Sequence, residues 1–397
     1  MLYRPEAFEP LTDEPWDVQR VAAAIRDVVA DAEGTYDAGA LWPAEEWDSF
    51  EAQLPLATLY AGASGMALAL DALSRRGYAA GSIDLRAVAA RALERWREEP
   101  DFAETTESPV LTHASLYFGE TGPLLAACRL APSAELADDL HARVLQNASN
   151  EANELMHGAP GTMLAARAML DWTGEERWAD AWRDSAEILW ARRDDEGLWM
   201  YPPYGRAPGA AHGVGTTVMV MLAGDLLDGE RRNELLRDTG EALRRYAVVE
   251  GGLANWPMAV EDFPNLVGFD GEIRLQWCHG GAGVVASASQ FLDEELLLAG
   301  AELVWLAGPP GMEKGPGICH GTAGSGYAFL KTFERTGDER WLKRARRFAV
   351  HALGQVERWR ARRGAGRYSL WSGDIGAALF AADCVDVRTA VPVVEGL

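Results

Sequence analysis

Residues 277–288 read Trp-Cys-His-Gly-Gly-Ala-Gly-Val-Val-Ala-Ser-Ala: a Gly-x-x-Gly step from Gly280 to Gly283, then a run of small apolar residues. The same step recurs along the chain. It appears at Gly62/Gly65 before MALAL, Gly119/Gly122 before PLLAA and Gly158/Gly161 before TMLAA. It returns at Gly321/Gly324 before SGYAFL and at Gly373/Gly376 before AALFAAD. An irregular copy, His212-Gly213-Val214-Gly215, has Thr216 where the second glycine belongs. Seven copies starting at 62, 119, 158, 213, 280, 321 and 373 define a repeat whose spacing leaves room for two helices per unit.

An amphipathic helical pattern precedes each copy: Trp16–Ala32, Leu85–Glu98, Ala134–Ala148, Glu176–Arg193, Arg231–Val248, Leu292–Leu306 and Glu339–Trp359. In the last, Trp341, Ala345, Phe348, Ala352 and Val356 recur at spacings of three and four with Arg and Lys between them. The run after each glycine step carries little charge, as a helix buried on nearly all sides requires. Seven amphipathic helices alternating with seven buried ones predict an all-α fold. The expected form is an (α/α) toroid of seven helical hairpins in inner and outer rings, as one domain over residues 1–397. The glycines are expected to allow sharp turns, with positive φ, at the inner-helix N-termini. Those N-termini would all point to one mouth of the toroid.

Composition narrows the function classes. The chain has 37 Lys+Arg against 60 Asp+Glu, a net charge of −23. Such a surface repels phosphate backbones and anionic lipid, so no nucleic-acid partner is expected. Three runs of about 18 residues lack charge, the last Leu275 to Leu292. They are diluted by Gly, Ser, His and Gln, so no integral membrane span is expected. The N-terminus, MLYRPEAFEPLTDEPWD, has neither a basic n-region nor an apolar h-region, and a cytoplasmic location is expected. Four cysteines are too few for a disulfide scaffold at this length.

The copies differ in what precedes the first glycine. Copies three to six carry His157, His212, His279 and His320, and copies five and six add Cys278 and Cys319. Two Cys-His pairs in repeat register meet at the same mouth. Zinc favours thiolate and imidazole in a tetrahedral set, so Cys278, Cys319 and one or two histidines are candidate ligands for one ion. A Cys278–Cys319 disulfide is the alternative, disfavoured in a reducing compartment. Cys128 and Cys384 lack such company and are expected in the core.

The two CHG motifs, the HG-x-x-G copies and the closing YSLWSGDIGAALFAADC resemble the lanthionine synthetase C-like family over essentially the whole chain. That family includes cyclases that form thioether rings in lanthipeptides and their glutathione-binding eukaryotic relatives. The resemblance implies a seven-fold (α/α) toroid with one Zn2+ held by Cys278, Cys319 and His320. It implies an acid/base role for His212, with Glu154, Arg274 and His279 beside it. Lys314, and more weakly Arg4, match residues that contact glutathione in the eukaryotic branch. His157 and His113 match no such role and are expected as capping or core residues.

The implied chemistry is addition of a thiol to the β-carbon of dehydroalanine or dehydrobutyrine. A thiol on zinc loses its proton and stays nucleophilic. The enolate formed needs oxyanion stabilisation, expected from Arg274, and a proton, expected from His212. The expected partner is a dehydrated peptide or glutathione, with a separate dehydratase, because nothing here resembles a dehydratase domain. The competing expectation is a non-catalytic zinc protein that binds glutathione or a peptide. A glycoside hydrolase on a related barrel would need two carboxylates facing one cleft; Glu154 alone makes a poor case, and two thiolates have no task there.

Overall fold

A computed structural model describes residues 1–44, 55–78, 81–104, 110–202, 205–223, 226–261 and 273–396. Among these, fourteen α-helices alternate between two rings. Numbered in chain order, the inner ring is α2 (Ala63–Arg75), α4 (Thr121–Leu130), α6 (Ala159–Thr173), α8 (Val214–Leu222), α10 (Gly281–Ala288), α12 (Thr322–Thr336) and α14 (Asp374–Asp386). The outer ring is α1 (Val18–Thr35), α3 (Leu85–Glu98), α5 (Ala134–Asn147), α7 (Glu176–Arg192), α9 (Gly229–Tyr246), α11 (Glu294–Ala307) and α13 (Glu339–Arg363). Each inner helix packs on the next, and α14 packs back on α2, so the ring closes. The expected all-α toroid is the observed fold.

The two rings start differently because their sequences differ. Six of the seven outer helices begin at an Asp or Ser whose side chain accepts helix N–H bonds: Asp17, Asp84, Ser133, Asp228, Asp293 and Asp338. These helices bury one stripe; in α13 it is Trp341, Ala345, Phe348, Ala352 and Val356, as the spacing predicts. Five inner helices begin instead at a motif glycine in extended backbone, at Gly62, Gly158, Gly213, Gly321 and Gly373.

The expectation of positive φ at these glycines holds only at Gly280, where φ is +98°. The general reason for glycine is close approach. The chain folds back so tightly that a Cβ on Gly158 would overlap the carbonyl oxygen of Ala152, and one on Gly280 that of Arg274. In each pair the carbonyl belongs to the residue six places earlier.

At six of the seven copies the residue two before the first glycine joins the main chain of a neighbouring repeat. Ala211 N–H donates to the Cys278 carbonyl (3.3 Å), Cys278 to Cys319 (3.1 Å) and Cys319 to Trp371 (2.8 Å). Trp371 donates to Tyr60 (3.2 Å) and Tyr60 to Tyr117 (3.0 Å), which ties repeat seven to repeats one and two. At copy three the pattern changes: the Met156 N–H donates to the Glu154 carboxylate at 2.9 Å.

Two short hairpins interrupt the helical order, β1 (Met200–Tyr201) with β2 (Gly205–Arg206) and β3 (Val248–Glu250) with β4 (Leu253–Asn255). The first dozen residues run over the ring: the Leu2 carbonyl accepts from Asn255 Nδ2 (2.7 Å). Gly311 N–H donates to the Ala7 carbonyl (2.9 Å), and Thr12 N–H to His351 Nδ1 (3.1 Å). Among the described residues no helix is long and apolar enough to cross a membrane.

Candidate functional site

The residue immediately before the first glycine sets a second register across neighbouring repeats. Its members from copies two to five are Phe118, His157, His212 and His279, and each ring stacks on the next. Centroid separations are 5.3 Å for Phe118–His157, 5.8 Å for His157–His212 and 5.2 Å for His212–His279. The repeat thus turns a sequence register into a row of parallel rings. His320 holds the same place in copy six, and its imidazole turns to the cysteines.

Cys278, Cys319 and His320 each offer a donor atom, and the three atoms lie within 4.8 Å of one another. Cys319 Sγ is 3.7 Å from His320 Nε2, and Gln276 Nε2 donates to Cys278 Sγ at 3.1 Å. All four cysteines are free thiols. Burial pushes the Cys278 thiol up, but the hydrogen bond from Cys319 and the charges of His320 and His279 outweigh it and hold it well below its ordinary range. Two soft sulfur donors with one imidazole make a set that fits Zn2+ and would leave a fourth position for a ligand. Cys128 and Cys384 are buried, and desolvation drives their thiols up, Cys128 to about 12; they are core residues, as expected.

Beside this set sits a carboxylate between two imidazoles. Glu154 is buried, 1% exposed at its side chain. Its Oε1 accepts from the His157 N–H (2.8 Å) and lies 3.0 Å from His157 Nδ1. Its Oε2 accepts from the Met156 N–H (2.9 Å) and lies 3.0 Å from His212 Nδ1. A carboxylate only accepts, so each Nδ1 carries the proton. Burial alone would raise the Glu154 pKa; the charges and hydrogen bonds of the two histidines prevail and hold it below the usual carboxylate range. Burial pulls His212 down, while Glu154 pulls it up and wins. His279 moves the other way, lowered to about 4 chiefly by desolvation, so it is neutral at neutral pH.

The structure therefore brings together Cys278, Cys319, His320, His279, His212 and Glu154. Arg274 lies on the loop before them, its carbonyl held by Asn255 Nδ2 at 3.1 Å, and its charge reaches both His212 and His279. Arg4 and Lys314 fall on two segments that pair through Ala7 and Gly311. His157 departs from expectation: it is neither cap nor core but the second imidazole on Glu154. His113 is structural, its Nε2 on the Phe102 carbonyl at 2.9 Å. Sequence reasoning missed Tyr201, which stacks on both His157 and His212 within 13° of parallel and puts its hydroxyl 3.3 Å from His157 Nδ1.

The sequence profile of the family described as lanthionine synthetase C-like protein matches residues 56–395. A Danio rerio protein named glutathione S-transferase LANCL1 is 26% identical over 303 residues, which span 68% of this chain and 71% of that one. An Arabidopsis thaliana protein, LanC-like protein GCL1, is 35% identical over 85 residues, 19% of each chain. The solved structure of nisin cyclase superposes with a TM-score of 0.58 at 16% identity, covering 92% of both chains, a likeness of fold. With the seven-fold toroid and the paired CHG motifs, a match over residues 56–395 leaves one assignment: the chain belongs to the lanthionine synthetase C-like family.

Proposed function

We propose that this protein joins a thiol, from a peptide cysteine or from glutathione, to a dehydroalanine or dehydrobutyrine side chain as a thioether. The observation that carries the proposal is the adjacency of two functions in neighbouring repeats of the toroid. A two-thiol, one-imidazole donor set stands next to a carboxylate-held histidine, with the His212 and His279 rings 5.2 Å apart. Cys278, Cys319 and His320 would hold zinc, which when bound lowers the pKa of a substrate thiol in its open position.

The remaining work falls to the chain's own residues. Glu154 fixes the His212 tautomer by accepting from Nδ1, which leaves Nε2 to exchange protons with substrate. Because Glu154 raises the His212 pKa, the ring takes up a proton readily and donates it to the α-carbon of the adduct. Arg274 adds positive potential for the enolate oxygen. Neutral His279 lies between His212 and Cys278 without competing for that proton. Arg4 and Lys314, on paired segments, offer cationic character to an anionic thiol such as glutathione, and the name of the Danio rerio relative supports that substrate class.

Metal content is the first test of the donor set. Purified wild-type protein should hold about one zinc per chain, and Cys278→Ala/Cys319→Ala should hold none. A double variant that keeps a full equivalent removes the assigned ligands. His320→Ala should weaken zinc more than His279→Ala does.

A further inference from the structure

A carboxylate that only orients His212 needs one imidazole, yet Glu154 has two, at equal distance on its two oxygens. Nδ1 of His157 and Nδ1 of His212 are each 3.0 Å from a Glu154 oxygen. One ligand atom from each of Glu154, His157 and His212 lies within 4.8 Å of the other two. Backbone N–H groups of His157 and Met156 pin both oxygens, at 2.8 and 2.9 Å, so the carboxylate is aimed before any ligand arrives. Tyr201 lies nearly parallel to both imidazoles and fixes their planes.

We propose that Glu154, His157 and His212 form a second, weaker divalent-metal site, and that an ion bound there switches off the proton-transfer function of His212. The donor set is two imidazoles and one carboxylate, which selects borderline transition ions such as Zn2+ or Co2+ over Mg2+ or Ca2+. Its dimensions admit one: tetrahedral zinc with bonds of about 2.0–2.1 Å has donor-to-donor edges of roughly 3.3 Å, inside the 4.8 Å that bounds the three donors. Binding is a tautomer exchange. The ion takes the place of the two Nδ1 protons, and each ring keeps one proton, now on Nε2, so both imidazoles stay neutral and no bond is oxidised or reduced.

The site differs in kind from the Cys278–Cys319–His320 set. It has no sulfur, it draws on copies three and four instead of five and six, and it competes with protons for nitrogens that are hydrogen-bonded when it is vacant. Its affinity is therefore the lower of the two, and it fills only when zinc exceeds one equivalent. With Nδ1 on a metal, the His212 ring no longer cycles between imidazole and imidazolium. This consequence rests on the proposed role of His212; the metal site itself does not.

The test is a titration of the chain already carrying one zinc. Calorimetry with Zn2+ should reveal a second equivalent. Titration with Co2+ should add visible d–d absorption without the intense near-ultraviolet band of a thiolate ligand. His157→Ala should weaken the second equivalent at least tenfold and spare the first. His157→Phe is a second variant with a precedent in the fold, since Phe118 occupies the same register in copy two; it should behave alike. A stoichiometry that stays at one under excess zinc overturns the proposal, as does a second equivalent of undiminished affinity in both His157 variants. Inhibition of thiol addition by excess zinc, relieved in His157→Phe, tests the switch separately. If no thiol addition occurs at all, the proposed function fails while the metal titration still decides the site.

Discussion

The main-chain N–H of Cys278 donates to the carbonyl of Cys319 at 3.1 Å. The two candidate ligands, one on each of two adjacent repeats, are therefore held in register by backbone, and the same chain of bonds continues through Trp371, Tyr60 and Tyr117. A metal is not needed to assemble the site. Stripping zinc with a chelator should leave helical circular dichroism intact and lower the Tm. The loss is about 4 kcal/mol if free zinc had stood ~1,000-fold above its Kd. Collapse of the helical signal on chelation would contradict a preassembled site.

Glycine at position 280 is required by conformation and by space together. Its φ is +98°, and a Cβ there would overlap the Arg274 carbonyl oxygen. Gly337, at the end of α12, has φ +68° with nothing within 4 Å of the added carbon. Gly337→Ala should cost about 1–2 kcal/mol, the usual left-handed penalty. Gly280→Ala should cost clearly more and should weaken zinc, because Cys278 and His279 move with it. Equal losses in chemical denaturation would refute the close-approach account.

Asp374, at the start of α14, gives a pH signature in stability. Burial raises its pKa to about 6 against the pull of Arg360 and Arg367. A folded-state pKa above the unfolded value means the fold binds the proton more tightly. The stabilisation is complete below the unfolded pKa and is lost as pH rises through about 6. Asp374→Asn removes this term, and Arg360 keeps Asp31 at 3.1 Å. Between pH 4 and 8 the variant should gain on wild type by on the order of 3 kcal/mol. Parallel stability profiles would show that Asp374 does not titrate as described.

His212 and Glu154 should separate in kinetics. His212→Ala should keep zinc and fold yet lose thiol addition by about 10²–10⁴-fold, the usual worth of a positioned acid–base group. Since Glu154 raises the His212 pKa, activity that needs protonated His212 is present below that pKa and falls as pH rises through it. Glu154→Gln should move this alkaline fall in kcat/KM to lower pH. An unmoved profile would detach Glu154 from His212 in function.

The fold was legible because the toroid repeats its sequence. The glycine steps mark every inner helix, and the amphipathic stretch from Leu85 to Glu98 coincides with α3. The cysteines were legible for the same reason: Cys278 and Cys319 hold one register position in adjacent copies. Tyr201 was not, because it stands on the β1–β2 hairpin, outside both the helical periodicity and the glycine register. His157 was visible in register but lacked a role, since only geometry reveals that Glu154 has an oxygen for each of two histidines. The N-terminal segment escaped because its contacts, such as Glu9 with His351 at 2.6 Å, join residues far apart in sequence, beyond any local periodicity. The positive φ expected at the glycine steps failed everywhere but Gly280, because crowding by the carbonyl six residues earlier already excludes a Cβ.

On the proposed function, these residues form a thioether rather than merely hold a thiol. The most direct measurement is mass spectrometry of a dehydroalanine-containing peptide incubated with glutathione and zinc-loaded protein, beside the same peptide with an internal cysteine. The expected result is a covalent adduct or a ring formed by wild type and lost in Cys278→Ala. Measurable glutathione binding without any adduct, on either peptide, would contradict the claim and make the protein a binder.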